Sequence, residues 1–366
     1  MSEAQLADRL LAPLDGVRRL AFEGARRVPG LAPWLLRRDR RLAAQSSLGV
    51  ALLFAVTLAA PGALYVIGPA IFGVAHVASD VRYLVLRRDV PRPWVSLAIV
   101  ASLLMVLVRA APFFGLGHAL LPRAEVTIGW GWAIVGALYG AHVGGRPWRA
   151  LALAAPLLVI VAAAWQAPGR ATLLFAYAHN LIALVLWVLL FRRRRAFALP
   201  ALALAALGAS LLASGAAFAP ASLAAPSPLG AWAARLFDDA RMTLPALTEP
   251  RAIGVALSYV FLQALHYSVW LAWVPQDDAR GEGTLSFRMS FRSLARDFGP
   301  AGLALVAALA LVVAGASLFS PHQTRALYLS LATFHGYLEV SALAFFLARG
   351  SHPAASALAR RRQSAA

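Results

Sequence analysis

Residues 42–79 read LAAQSSLGVALLFAVTLAAPGALYVIGPAIFGVAHVAS, and this stretch decides the fold. It is predominantly apolar from end to end. A membrane-spanning helix needs about 20 apolar residues, so the stretch is too long for one span. Pro61 and Gly62 stand in its middle, and such a pair predicts a break between two helices. The segment therefore predicts two consecutive membrane spans.

Eight further apolar runs follow along the chain. Together with the first two, they place the predicted spans at 44–60, 66–86, 93–112, 126–144, 148–166, 170–191, 198–218, 252–275, 300–319 and 325–348. The sequence is 60% hydrophobic and 14% charged. A soluble domain cannot bury so much apolar surface, whereas a bilayer accepts it on every face of a helix. We therefore predict an all-α, polytopic transmembrane bundle of about ten spans.

The formal net charge of +18 suggests nucleic-acid binding at first sight. The arginines, however, form short clusters between apolar runs, at residues 37–41, 87–88, 192–195 and 360–362. Clusters of this kind are typical of cytoplasmic loops and are not evidence for nucleic acid as a partner. Loops predicted to lie outside carry single arginines, such as Arg123, Arg170 and Arg325. The pattern predicts both termini in the cytoplasm and a bacterial-type inner (plasma) membrane location.

Three regions follow from this topology. Residues 1–41 form a basic amphipathic segment on the inner membrane surface, 42–348 the transmembrane domain, and 349–366 a basic cytoplasmic tail. The first region has apolar residues at helical spacing, namely Leu6, Leu10, Leu14, Val17 and Leu20. We also expect a lid or short surface helices in the outer loop 219–251, and a segment at the inner interface in 276–298. No sequence feature indicates an oligomeric state.

Four histidines lie inside predicted spans: His76, His179, His266 and His335. They belong to spans that all run from outside to inside. Counting from the outer ends of those spans places all four at a depth of roughly 14–21 Å, near the midplane of the bilayer. Ionisable groups at this depth are costly and need partners or a purpose.

Each of these histidines has polar neighbours. Asp80 and Glu339 follow His76 and His335 by four residues, which places each pair on one helical face. The other two histidines have as neighbours Asn180 and Tyr177, and Gln263 and Tyr267. The chain contains no cysteine, so any metal must be held by His, Asp, Glu or water. We predict a metal site with the four histidines as ligands and with Asp80, Glu339, Asn180 and Gln263 supporting them. The two carboxylates are alternatively oxygen ligands of the same metal.

The histidines also have a purely structural interpretation, as hydrogen-bonding groups between packed helices. The small residues around them, Gly73 and Gly336 among them, are likewise open to two interpretations. They leave room for a long apolar ligand, or they allow neighbouring helices to approach closely.

The motifs HVASD at residues 76–80 and HGYLE at 335–339 resemble those of the Brp/Blh family of integral membrane proteins. This resemblance implies Fe(II) held by histidines and oxidative cleavage of β-carotene to retinal. The sequence departs from the family in two respects. The Pro-His-Gly opening is absent before His76, and His179 has no histidine four residues later.

Four functions remain open on these residues. The first is a membrane-embedded non-haem iron oxygenase acting on a lipophilic small molecule such as a carotenoid, with Tyr267 or Tyr177 positioning oxygen or substrate. Another divalent metal is the alternative to iron. The second function is electron transfer through haem b with histidine axial ligands. The third is a transporter or proton relay, and the fourth is a scaffold without chemistry. Membrane lipids are partners in every case.

Overall fold

The computed structural model describes residues 3–86, 90–192, 194–216, 228–278 and 285–350. These residues form helices, turns and short connections, and contain no β-strand. The all-α fold class predicted from the sequence is confirmed.

Thirteen α-helices account for most of the described chain. They are α1 (Glu3–Arg26), α2 (Ala32–Leu36), α3 (Arg38–Ala59), α4 (Pro61–Asp80), α5 (Arg92–Ala110), α6 (Leu121–Val143), α7 (Pro147–Gln166), α8 (Pro168–Leu186), α9 (Leu199–Ala213), α10 (Pro228–Thr243), α11 (Glu249–Ser268), α12 (Phe287–Phe319) and α13 (Pro321–Arg349). Within the described ranges, ten helical segments are long and apolar enough to cross a membrane. This matches the predicted number of spans.

The break predicted at Pro61 is present, because α3 ends at Ala59 and α4 begins at Pro61. Proline lacks the N–H that a helix interior requires, but it fits the first helical position. Other boundaries differ from the sequence-based ones by several residues. Helix α3 begins at Arg38 rather than at residue 44, and α9 ends at Ala213 rather than at residue 218.

The chain divides into two compact units. We call one the N-terminal unit (Met1–Gly68 and Arg192–Leu311) and the other the histidine unit (Pro69–Phe191 and Val312–Ala366). In the N-terminal unit, α11 is the most buried span and packs against α3, α9 and α10. The buried Arg192 donates to Asp39 at 3.0 Å, which ties the start of α3 to the chain that leads into α9.

In the histidine unit, α13 packs most extensively against α6 and also contacts α5 and α8. Small residues permit this close approach. A Cβ placed on Gly136, Gly140 or Gly144 would collide with a backbone oxygen of α13. The distance would be 2.8 Å to Ser341 from Gly136 and 2.6 Å to Arg349 from Gly144, and the Cβ on Gly140 would meet Phe345. Such glycines at four-residue spacing are typical of membrane helices whose backbones touch. This tight interface holds α13, which carries His335 and Glu339.

The segments expected at the membrane surface are partly described. The N-terminal segment is helical from Glu3 to Arg26, and Asp15 of this helix accepts hydrogen bonds from the N–H of Phe287 at 2.7 Å and the side chain of Arg288 at 2.9 Å. Burial by itself raises the pKa of Asp15, but these hydrogen bonds outweigh it and lower the pKa below its ordinary value. Residues 219–251, predicted to lie outside, contain the short helix α10, while residues 217–227 and the tail 351–366 lie outside the described residues.

Three of the ten spans end in a π-helical turn. These turns cover Val81–Val85, Trp187–Phe191 and Val269–Trp273, directly after α4, α8 and α11. All three spans carry one of the intramembrane histidines. Turns of this kind are rare and are found frequently at functional sites.

Candidate metal centre

The histidine unit brings His76 of α4 and His335 of α13 into direct contact. Their rings lie nearly perpendicular, with centroids 4.8 Å apart and an interplanar angle of 83°. The two Nε2 atoms are 3.3 Å apart. Both residues are buried, with 1% and 6% of their surface exposed. Two of the four histidines predicted as ligands therefore lie side by side.

The other ring nitrogen of each histidine is held by its own helix. Nδ1 of His76 lies 3.1 Å from the carbonyl oxygen of Phe72, and Nδ1 of His335 contacts the carbonyl oxygen of Ala332. Because a carbonyl only accepts, these contacts assign the proton of each neutral ring to Nδ1. Each Nε2 then presents a lone pair, and the two lone pairs face each other. Two facing lone pairs repel unless a proton or a metal cation lies between them.

A carboxylate completes this arrangement. Asp80 follows His76 by one turn of α4, and one ligand atom from each of His76, Asp80 and His335 lies within 4.8 Å of the other two. Asp80 is fully buried, and neither of its oxygens has a hydrogen-bond partner among the described residues. It lies close enough to the buried Glu339 for the two carboxyl groups to interact electrostatically. A buried carboxylate without donors is unfavourable unless a proton or a cation compensates it. We call these four residues the histidine cluster.

His179 stands at the edge of this cluster on α8. Its ring centroid is 5.3 Å from that of His335, and its Nδ1 lies 2.9 Å from the carbonyl oxygen of Ala176. A Cβ on Gly336 would lie 3.3 Å from the Cβ and Cγ of His179, so the glycine lets the two helices approach here. A Cβ on Gly73 would likewise collide with the ring of Tyr328. At these two glycines the small-residue pattern therefore reflects close packing and not free space.

Asn180 and Tyr177, the polar neighbours of His179, do not lie on its side of the helix. Residues one or two apart on an α-helix do not face each other. Asn180 is buried and donates to the carbonyl oxygen of Ala176 at 3.2 Å, while Tyr177 is half-buried. The support that Asn180 was expected to give and the catalytic role predicted for Tyr177 remain predictions.

His266, Gln263 and Tyr267 belong to the N-terminal unit, where all three are buried on α11. The ring of Tyr267 lies edge-on to that of His266, with centroids 6.1 Å apart, and also packs on Gly68. Gln263 donates to the hydroxyl of Tyr259 at 3.4 Å. The metal-binding role of His266, the supporting role of Gln263 and the catalytic role of Tyr267 stay predictions.

The sequence analysis missed a second buried polar group in the histidine unit, the pair Arg109 and Glu125. Nη1 of Arg109 donates to Glu125 at 3.1 Å. The same carboxylate, only 2% exposed, also accepts from Thr172 and Tyr337, each at 3.4 Å. The signal was available, because Arg109 is an ionisable residue inside a predicted span. We call these two residues the arginine–glutamate pair.

Compared with known proteins, the chain matched no family model, no curated protein and no solved structure. The fold and the site therefore carry the assignment. They define a multi-pass membrane protein with a buried histidine and carboxylate cluster of the kind that can bind a metal ion.

Proposed function

We propose that the protein is a membrane-embedded metalloenzyme, a non-haem iron oxygenase acting on a lipophilic substrate such as a carotenoid. One observation carries the metal-binding part of this proposal. The Nε2 atoms of His76 and His335 are 3.3 Å apart, and neither carries a proton in the neutral ring. Two ligands at about 2.0–2.1 Å from one metal with a tetrahedral angle between them lie about 3.4 Å apart.

The donor set indicates which metals fit. Imidazole nitrogen together with carboxylate oxygen suits iron(II), manganese and zinc, and the chain has no thiolate to offer a softer metal. His76, His335 and Asp80 supply two nitrogens and an oxygen, a set that non-haem iron(II) oxygenases use with open positions for other ligands. His179 and His266 are the further candidate ligands. Iron bound in this way would supply dioxygen activation.

The protein's own residues would orient the site and keep it dry. The Nδ1–H bonds to Phe72 and Ala332 hold the two rings with their Nε2 atoms towards one point, as hydrogen bonds to ligating histidines commonly do. The full burial of Asp80 and Glu339 excludes bulk water from the same place. A substrate that dissolves in the bilayer fits such a location. The carotenoid as substrate rests on the resemblance of HVASD and HGYLE to the Brp/Blh motifs.

The distance between the two Nε2 atoms favours this proposal over a haem b bound by His76 and His335. Axial ligands of one haem iron lie on opposite sides of a flat macrocycle, with nitrogens about 4 Å apart if each bond is about 2.0 Å. The 3.3 Å between the two Nε2 atoms suits adjacent ligands of one metal better.

Metal analysis of the purified protein tests the site. We expect bound iron without the strong visible absorption of haem, and loss of most of the metal in His76→Ala and in His335→Ala. His142→Ala is the matched control, since His142 is exposed at the end of α6. Variants that keep the wild-type metal content, or a wild-type protein that binds neither iron, manganese nor zinc, would reject the proposal.

Expression in cells that accumulate β-carotene tests the reaction. Loss of the orange colour with formation of retinal supports the oxygenase, and His266→Ala should abolish it. Persistent colour with a folded, iron-loaded protein would reject β-carotene as the substrate and leave the metal site standing.

A further inference from the structure

The histidine unit contains a cavity of about 470 Å³ beside the arginine–glutamate pair. It lies where α5 ends and α6 and α8 begin, and is closed on one side by α13. Pockets of about 300–1,000 Å³ are the usual size for small-molecule sites. Its walls are formed by Val108, Arg109, Pro112, Phe113, Gly117, His118, Leu121, Pro122, Glu125, Gly169, Thr172 and Ser330.

The polar groups in this cavity mainly donate hydrogen bonds. Arg109 uses Nη1 on Glu125 and Nε on the carbonyl oxygen of Ser330 at 3.5 Å, while its Nη2 has no acceptor among the described residues. The side chain is 30% exposed. Nδ1 of His118 accepts from the N–H of Leu120 at 3.1 Å, so the neutral ring of His118 carries its proton on Nε2. The cavity therefore offers donors from a guanidinium and an imidazole.

Glu125, the one acidic group among the residues that line the cavity, does not strongly repel a bound anion. Glu125 is 2% exposed, and both of its oxygens accept hydrogen bonds, from Arg109, Thr172 and Tyr337. The positive charge of the pair is thus more accessible than the negative one. The remaining wall is mostly apolar, with Phe113 and Leu121 among its members.

We propose that this cavity binds a single-chain amphiphile through its carboxylate, with Arg109 and His118 holding the head and the apolar wall holding the first part of the chain. A carboxylate offers two oxygens to the two donors, and a guanidinium matches its geometry. The location supports this ligand. Charged heads and apolar chains meet near the ends of membrane spans, and the cavity lies at the ends of α5, α6 and α8.

Equilibrium binding to the purified protein in zwitterionic nanodiscs tests the proposal, with laurate as the probe. Dodecanol has the same chain without the charge, and acetate has the charge without the chain. We expect laurate to bind at least about tenfold more tightly than dodecanol, as charge-assisted hydrogen bonds contribute that much. Acetate should not displace laurate at equal concentration.

Two variants test which residues bind the carboxylate head of laurate. Arg109→Lys keeps a positive charge for Glu125 but removes the guanidinium fork, and should weaken laurate binding about tenfold while leaving dodecanol unchanged. His118→Gln replaces an exposed side chain and should weaken laurate binding less. The matched control is Arg123→Lys, because Arg123 packs over Trp165 at 6.0 Å and does not line the cavity.

Equal binding of laurate and dodecanol would overturn the proposal, as would displacement of laurate by acetate. Unchanged laurate binding in both Arg109→Lys and His118→Gln would overturn it as well. None of these outcomes depends on a metal at the histidine cluster.

Discussion

The histidine unit holds two buried polar groups that differ in how completely their charges are balanced. In the arginine–glutamate pair, the carboxylate of Glu125 accepts three hydrogen bonds, one of them from a guanidinium. In the histidine cluster, Asp80 has no donor among the described residues, and it interacts electrostatically with a second carboxylate, Glu339. The charges of the first group are balanced within the chain, whereas the second has the donor atoms to bind a cation from outside it. The contrast distinguishes a polar group that stabilises the fold from one that is available for chemistry.

The largest expected effect concerns the arginine–glutamate pair. Arg109→Leu leaves a buried carboxylate without its counter-charge, and removing one partner of such a pair costs about 3–5 kcal/mol. We expect about 3 kcal/mol, because Arg109 is 30% exposed. Unfolding in a denaturing detergent measures the change. The double variant Arg109→Leu/Glu125→Leu should recover most of the loss, and a double variant as unstable as the single one would show that the pair contributes little.

The second prediction is that removing a buried charge from the histidine cluster does not destabilise the metal-free protein. Asp80→Asn removes a buried carboxylate that has no donors, so the metal-free protein should keep its stability or gain about 1 kcal/mol. The metal-loaded wild type should be more stable by about 2.7 kcal/mol when free metal is at about 100 times its dissociation constant. Asp80→Asn should lose most of this increment. If Asp80→Asn destabilised the metal-free protein as strongly as Arg109→Leu, the contrast between the two groups would fail.

A matched pair of substitutions gives the smallest effect. Glu339→Gln keeps the shape of the side chain but weakens it as a partner of the metal site. We expect metal affinity to fall by about 10–100-fold, or about 1.4–2.7 kcal/mol. Glu125→Gln is the same substitution in the other group and should leave metal affinity unchanged. Titration with iron(II) under anaerobic conditions measures both. Equal affinities in wild type and Glu339→Gln would make Glu339 a structural residue.

The spans could be predicted from the sequence because the bilayer imposes a length and a composition on each of them. The same constraint made His76 and His335 conspicuous, since polar residues inside apolar runs are rare. The sequence left two roles open for Asp80, support of the histidines or an oxygen ligand, and the structure places it among the atoms that could bind a metal. Helical spacing places Asp80 and His76 on one face, but it does not give the distance to a residue on another helix.

The arginine–glutamate pair shows a different limit. Arg109 and Glu125 lie near the ends of successive spans, where charged residues usually contact water or headgroups. Their pairing depends on how α5 and α6 pack against each other. Hydrophobic periodicity carries no such information. The individual residues were visible in the sequence, but their contact was not.

The three π-helical turns have a consequence for how such a site can change over evolutionary time. An α-helix turns about 100° per residue, so one inserted or deleted residue normally rotates everything beyond it out of register. A π-turn confines an extra residue to a single loosened turn. Directly after α4, this turn lies between His76 and Leu86. Because the turn follows His76, an insertion or deletion within it leaves the histidine in register with the rest of α4. Only the residues beyond the turn would rotate.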